Sequence, residues 1–175
     1  MSRRIGKAFL RSGASPVSLD SSQIPDGDFW AEVLLASFRR RTGSSLLDTS
    51  QSTLPLASQL WESPWVVVAH GNEPDPLFHY GNRAALDLWE MPLEEFLGMP
   101  SRLTAEPVHR EERERILEST RRHGFVDDYS GIRISKLGNR FRIHQAWLWM
   151  VDREDGQVIG QAAAFREWSP LPALP

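Results

Sequence analysis

Three extended segments close the chain, and the shortness of the turns between them constrains the fold more than any other feature. Val126 to Ser135 is followed by a turn around Leu137 to Asn139, Arg140 to Val151 by the turn DREDG, and Val158 to Trp168 completes the series. Connections of so few residues cannot carry a parallel crossover, so the segments are expected to pair as an antiparallel meander. Such a sheet buries at least one face, and its cover has to come from upstream.

The upstream sequence supplies that cover in short pieces. Trp65 to His70 is a β-branched run, apolar on both faces, and the turn-rich GNEPDP leads from it into Leu77 to Tyr80, the second arm of an expected hairpin. Asn82 is placed to cap the helix AALDLWE, Pro92 stands where a first helical turn tolerates it, and Gly98 ends LEEFL as a left-handed terminator. Pro107 opens HREERERILESTRRH, where Glu111 with Arg115 and Glu118 with Arg122 form i,i+4 pairs before Gly124 closes the helix. Few apolar positions of this helix face inward, so it reads as largely solvated. Ahead of the first strand, Asp28 is expected to cap FWAEVLLASFRRR, in which Trp30, Val33, Leu34 and Phe38 recur at helical spacing. A shorter helix is expected from Leu54 to Glu62, capped by Ser52 or Thr53 and stopped by Pro64. The resulting class is α+β: a five-stranded antiparallel sheet with short helices on one face and an N-terminal flanking helix. One domain is expected over residues 28–168, between a disordered basic tail at 1–27 and a proline-rich tail at 169–175.

Composition narrows the chemistry. With no cysteine, disulfides, thiolate metal sites and cysteine nucleophiles are excluded. A formal net charge of −3 and a pI near 6.0 create no overall field that would draw the protein to nucleic acid or an anionic membrane. The longest apolar runs, WVVVA and AWLWMV, fall far short of the roughly 20 residues that span a bilayer. Arg3, Arg4, Lys7 and Arg11 give the N-terminal segment its basic character, but AFL is too short for the core of a secretory signal, so a cytoplasmic protein is expected. Neither GxSxG, HExxH, Walker nor dinucleotide fingerprints occur. An enzyme is therefore not expected, the alternative being a small enzyme with His144 or Asp128 as base.

The order of elements resembles the PAS fold, and FHYGNRAALDLWEMPLEEFLGMP is similar to its segment of strand, asparagine and short helices. More narrowly, LWESPWVVVAHG, DPLFHYGNRAALDLWEM, PSRLTAEP, REERERIL, HGFVDDYSGIRIS and RFRI together resemble the MEKHLA domain, from Asp28 to Trp168. That family comprises bacterial proteins that are little more than this domain and the C-terminal segments of plant class III homeodomain leucine-zipper proteins. The resemblance implies a PAS-like sensory or regulatory module that binds a small ligand or a protein partner and signals through dimerisation. No ligand-contacting residues are established for it.

A PAS-like ligand would lie between the short helices and the sheet. Leu86, Trp89 and Phe96 are expected to roof that space. Strict alternation along the long strand puts Phe141, Ile143, Gln145, Trp147 and Trp149 on one face, with Gln145 as its polar member. Gln161 stands among small residues, and flavin-binding PAS relatives use a glutamine on this strand. The candidate lining is thus Trp89, Phe96, Tyr129, Gln145, Trp147 and Gln161. Flavin relatives also use a cysteine for their photoadduct, which excludes that chemistry here but leaves non-covalent flavin or another small ligand open. Haem is not expected, although His109 and His123 flank the helix that supplies its ligand in haem-binding relatives. His70, Asp75 and His79 are irregularly spaced and lack a fourth donor, so no metal is expected. Asp127 and Asp128 read as turn or strand-edge acids, one pairing with Arg133 or Arg142. The stripe of Trp30, Val33, Leu34 and Phe38 is expected by default to pack on its own sheet, with a second subunit as the alternative; a homodimer through that helix is the expected assembly, and a signalling protein is a further partner.

Overall fold

The computed structural model describes residues 24–173, and expectations placed on residues 1–23 and on the last two residues lie outside it. The chain order is α1 (Gly27–Thr42), α2 (Leu56–Trp61), β1 (Val66–His70), β2 (Phe78–Gly81), α3 (Arg83–Trp89), α4 (Leu93–Phe96), α5 (Arg110–His123), β3 (Phe125–Ile134), β4 (Arg140–Asp152), β5 (Val158–Phe165) and β6 (Glu167–Pro170). Short 3-10 turns at Ser101–Thr104 and Pro107–His109 lead into α5. The meander β3-β4-β5 is antiparallel, and β1 docks beside β5 to give the strand order β2-β1-β5-β4-β3.

The ends of the domain differ from expectation. The last extended segment breaks at Arg166, and β6 continues as a sixth strand on β4, with Ile143 opposite Trp168 and Phe141 opposite Pro170. Ser169 and Pro170 are therefore sheet rather than tail; proline is tolerated because it ends an edge strand. Upstream, Ile24 is buried and Gly27 opens α1, with Asp26 rather than Asp28 at the N-cap, so ordered chain begins before residue 28. Helix α2 starts only after Pro55, and Ser52 Oγ instead accepts from Leu54 N.

The helices occupy both faces of the sheet. On one, α3 and α4 bring Trp89 and Phe96 against the strands. Trp89 packs edge-on to Phe141 and Phe165 with ring centroids 5.4 and 6.2 Å away. On the other, Phe38 of α1 meets Trp147 and Trp149 edge-on, at 5.5 and 5.0 Å, and Trp149 Nε1 donates to Ser37 Oγ at 3.0 Å. Arg40 and Arg41, in the last turn of α1, both pair with Asp152 at the end of β4. The stripe packs within the chain, the default of its two readings: Val33, Leu34 and Phe38 are buried, and Trp30 stacks on His79 at 5.9 Å.

Paired bulges produce this two-sidedness. Gln145 adopts a left-handed backbone, φ 49°, and is an extra residue of β4: Tyr129 pairs with Ala146 and Gly131 with Ile143. The side-chain phase therefore inverts at Gln145. Phe141 and Ile143 share a face with Ala146 and Leu148, whereas Trp147 and Trp149 turn towards α1. Asp128, φ 60°, is the compensating extra residue of β3, between the pairs Val126 with Leu148 and Tyr129 with Ala146.

Candidate ligand cavity

Between the sheet and helices α3 and α5 lies a cavity of about 60 Å³. Phe78, Trp89, Leu117, Ile143, Leu148 and Phe165 give it an apolar wall, and His70, Thr104, Arg113, Tyr129, Arg133 and Gln161 supply polar groups.

Each polar residue is set there by its element. Charged as α5 is, Arg113, Leu117 and Thr120 recur along one side and are its buried residues. Arg113 is 4% exposed and donates to Ser101 Oγ at 2.6 Å and Glu114 Oε1 at 3.0 Å. On β3, Tyr129, Gly131 and Arg133 share a face beyond the Asp128 bulge. A Cβ on Gly131 would lie 2.0 Å from the Tyr129 hydroxyl, so glycine lets the ring lie along the strand. That hydroxyl accepts from Arg133 Nη2 at 3.1 Å. Gln161 Nε2 donates to Leu117 O at 3.1 Å, tying β5 to α5, while Oε1 is buried without a partner. Trp89 Nε1 is likewise buried and unpartnered.

His70 stands 2.9 Å from Gly71 O through Nδ1; a carbonyl only accepts, so Nδ1 carries the proton. Burial is the main cause that pushes the imidazole down to about 4, aided by the Arg113 charge. Burial, then the neighbouring Arg133 guanidinium, brings Arg113 down to about 10, so Arg113 is charged and His70 neutral at pH 7. Between about pH 6.5 and pH 4 the unfolded chain binds a proton that folded His70 refuses, so its contribution to stability is lost as pH falls through that window. The expected loss approaches about 3 kcal/mol at the bottom of the window. Urea titrations of the parent and His70→Gln at successive pH values check this, because the variant should lack that part of the slope.

The sequence candidates divide. Trp89, Tyr129 and Gln161 line the cavity. Phe96 sits a layer behind, fully buried, 4.4 Å from Phe78 and 6.2 Å from Trp89. Gln145 is exposed and Trp147 faces α1, both displaced by the β4 bulge. His144 bonds Ser169 Oγ at 2.9 Å, Asp127 and Asp128 are exposed, and none of the three lines the cavity. Arg133 points inward to Tyr129 rather than to either aspartate. His109 lies beside Glu106 and Glu112, and His123 bonds back to Ser119 O, both away from the cavity. Sequence reading missed Thr104, Arg113 and Arg133 and weighed His70 only for metal. The available signals were the placement of Arg113 one turn before Leu117 and the alternation from Tyr129 to Arg133.

The sequence model of the MEKHLA domain matches residues 28–170. The chain belongs to the MEKHLA domain family. It is 27% identical over 179 residues to the homeobox-leucine zipper protein REVOLUTA of Arabidopsis thaliana, a match covering 95% of this chain and 21% of that protein. This MEKHLA domain thus corresponds to about a fifth of that relative's length. Among solved structures, the PAS domain of a Colwellia psychrerythraea protein superposes with a TM-score of 0.56 at 15% identity, covering 63% of this chain and 92% of that one. A light-oxygen-voltage domain from work with a flavin analogue gives 0.52 at 17% identity, over 71% and 89% of the two chains. An RNA-binding light-oxygen-voltage receptor gives 0.52 at 19%, over 70% of this chain and 34% of that one. These likenesses establish the MEKHLA domain's fold as PAS-like.

The cavity limits what such a fold can hold here. At about 60 Å³ the cavity is several-fold smaller than pockets for drug-sized ligands, which run to roughly 300–1,000 Å³. Flavin and haem do not fit among the side chains as they stand.

Proposed function

We propose that this MEKHLA domain is a sensory or regulatory module whose signal is occupancy of the buried cavity by a small molecule. The carrying observation is a pair of buried polar atoms left unpartnered on one cavity wall, the amide oxygen of Gln161, 2% exposed, and Trp89 Nε1. Leaving such groups unmade is unfavourable, and a bound polar molecule repairs at least one of them. The same strands supply a route outward. Leu148 and Ala163 face the cavity, and Trp149, next in sequence to Leu148, packs on Phe38 of α1. A bound molecule that shifts β4 and β5 is therefore felt by α1, whose outward side, where Phe29 is 38% exposed, is read by a second copy or another protein.

Protein purified without added ligand, then denatured and analysed by mass spectrometry, should release a small organic compound in near-stoichiometric amount. Ala163→Leu, which fills the cavity, should fold at a cost of no more than about 1–3 kcal/mol and release none. Equal recovery from parent and variant would place the compound elsewhere and defeat the reading.

A further inference from the structure

The charge balance of the cavity is one-sided. Two guanidinium groups, Arg113 and Arg133, face it at 4% and 8% exposure, and no carboxylate belongs to its wall. Buried arginine normally meets an acid, and even the partly buried Arg140 has one here, in a two-point pair with Glu106 at 2.7 and 3.1 Å. Arg113 has only the outlying carboxylate of Glu114, 59% exposed and screened by solvent. Arg133 has no ion-pair partner among the described residues; it holds Ile132 O at 2.8 Å and the Tyr129 hydroxyl at 3.1 Å. The remaining polar groups on the wall do not offset this charge. His70 is neutral, Thr104 Oγ1 is committed to Ser101 O at 2.8 Å, and Gln161 and Tyr129 are uncharged amide and phenol.

Resting on the ligand-binding reading above, we propose that the ligand is a small organic carboxylate, its carboxylate held between Arg113 and Arg133 and its short apolar body against Trp89, Ile143, Leu148 and Phe165. A carboxylate supplies the missing counter-charge in the planar, two-oxygen form that guanidinium recognises. The volume sets its size: a cavity of about 60 Å³, a fraction of a drug-sized pocket, limits the ligand to an acid of a few carbons. The two guanidinium groups feel each other's charge, Arg133 lowering the affinity of Arg113 for its proton, and an anion between them relieves that repulsion.

Sodium butyrate and its neutral isostere butyramide separate the possibilities when each is titrated into the full chain at constant ionic strength, followed by calorimetry and thermal unfolding. Butyrate should bind saturably and raise the melting temperature. Butyramide and equal concentrations of chloride should bind at least tenfold more weakly. Arg133→Met, which removes one of the two like charges, should melt no lower than the parent without probe, yet lose the butyrate shift. If it fails to fold, Arg133→Lys keeps the charge and should still weaken butyrate at least fivefold, because an ammonium cannot reproduce the forked contact.

Equal binding of butyramide and butyrate, or a neutral compound released by mass spectrometry, overturns the carboxylate inference and leaves the cavity-ligand reading standing. No binding of either probe, together with no released compound, overturns both.

Discussion

Asn82→Ala is expected to lower the unfolding free energy by about 4 kcal/mol, a large part of the roughly 5–15 kcal/mol available to a domain. The side chain is fully buried and every bonding position is used. Oδ1 accepts from Val67 N at 3.0 Å and Ala85 N at 3.2 Å; Nδ2 donates to Leu60 O at 3.1 Å and Trp65 O at 2.7 Å. It thereby caps α3 and joins α2, β1 and the end of β2 at one point. Alanine would deprive Val67 N and Trp65 O of Asn82, while Leu60 O keeps Ser63 N at 3.3 Å; each group left unpartnered costs about 1–3 kcal/mol, not strictly additively. Asn82→Ser, retaining the cap acceptor, should recover only about 1 kcal/mol of the loss. Asn82→Asp should be no better than alanine, because it sets a carboxylate against the Leu60 and Trp65 carbonyl oxygens. Urea denaturation of the three variants checks this. Full recovery by serine would show that capping alone matters and that the bridge to α2 and β1 does not.

Asn82 also shows what the sequence made legible. Turn and cap chemistry is local, so the hairpin, the Asn82 cap, the left-handed Gly98 at φ 79° and the Gly124 stop at φ 86° could all be read from neighbouring residues. The meander was readable for the same reason, since short turns leave only one way for the strands to pair. The bulges were not, because nothing adjacent to Gln145 or Asp128 marks a non-glycine residue for a left-handed backbone. One unmarked extra residue inverted every assignment downstream on β4, which is why Gln145 and Trp147 were placed in the cavity and are not there. Arg113 was hidden differently: in a helix this charged, one inward arginine looks like the outward ones until the strands opposite it are known. β6 was hidden by its proline, which at an edge terminates pairing without preventing it.

The same bulge underlies the second large expected effect. By turning Trp149 to the α1 side, it creates a fully buried ring whose Nε1 bonds Ser37 and whose face meets Phe38. Trp149→Ala should therefore cost about 3–5 kcal/mol, the range for emptying a large buried aromatic site. Trp147→Ala, two residues along the same face but half-buried, should cost clearly less. Trp149→Phe keeps most of the apolar contact but leaves the buried Ser37 hydroxyl without its donor, so about 1–2 kcal/mol is expected. Pairing Trp149→Phe with Ser37→Ala tests the coupling directly: if the hydrogen bond holds α1 to β4, the double variant should be less destabilised than the sum of the two single ones. Strict additivity, or equal costs at Trp147 and Trp149, would mean that α1 is held mainly by Arg40, Arg41 and Asp152 at the end of β4. The route from cavity to α1 would then run through those ion pairs rather than through the ring, and high salt, which screens exposed arginines, should weaken it.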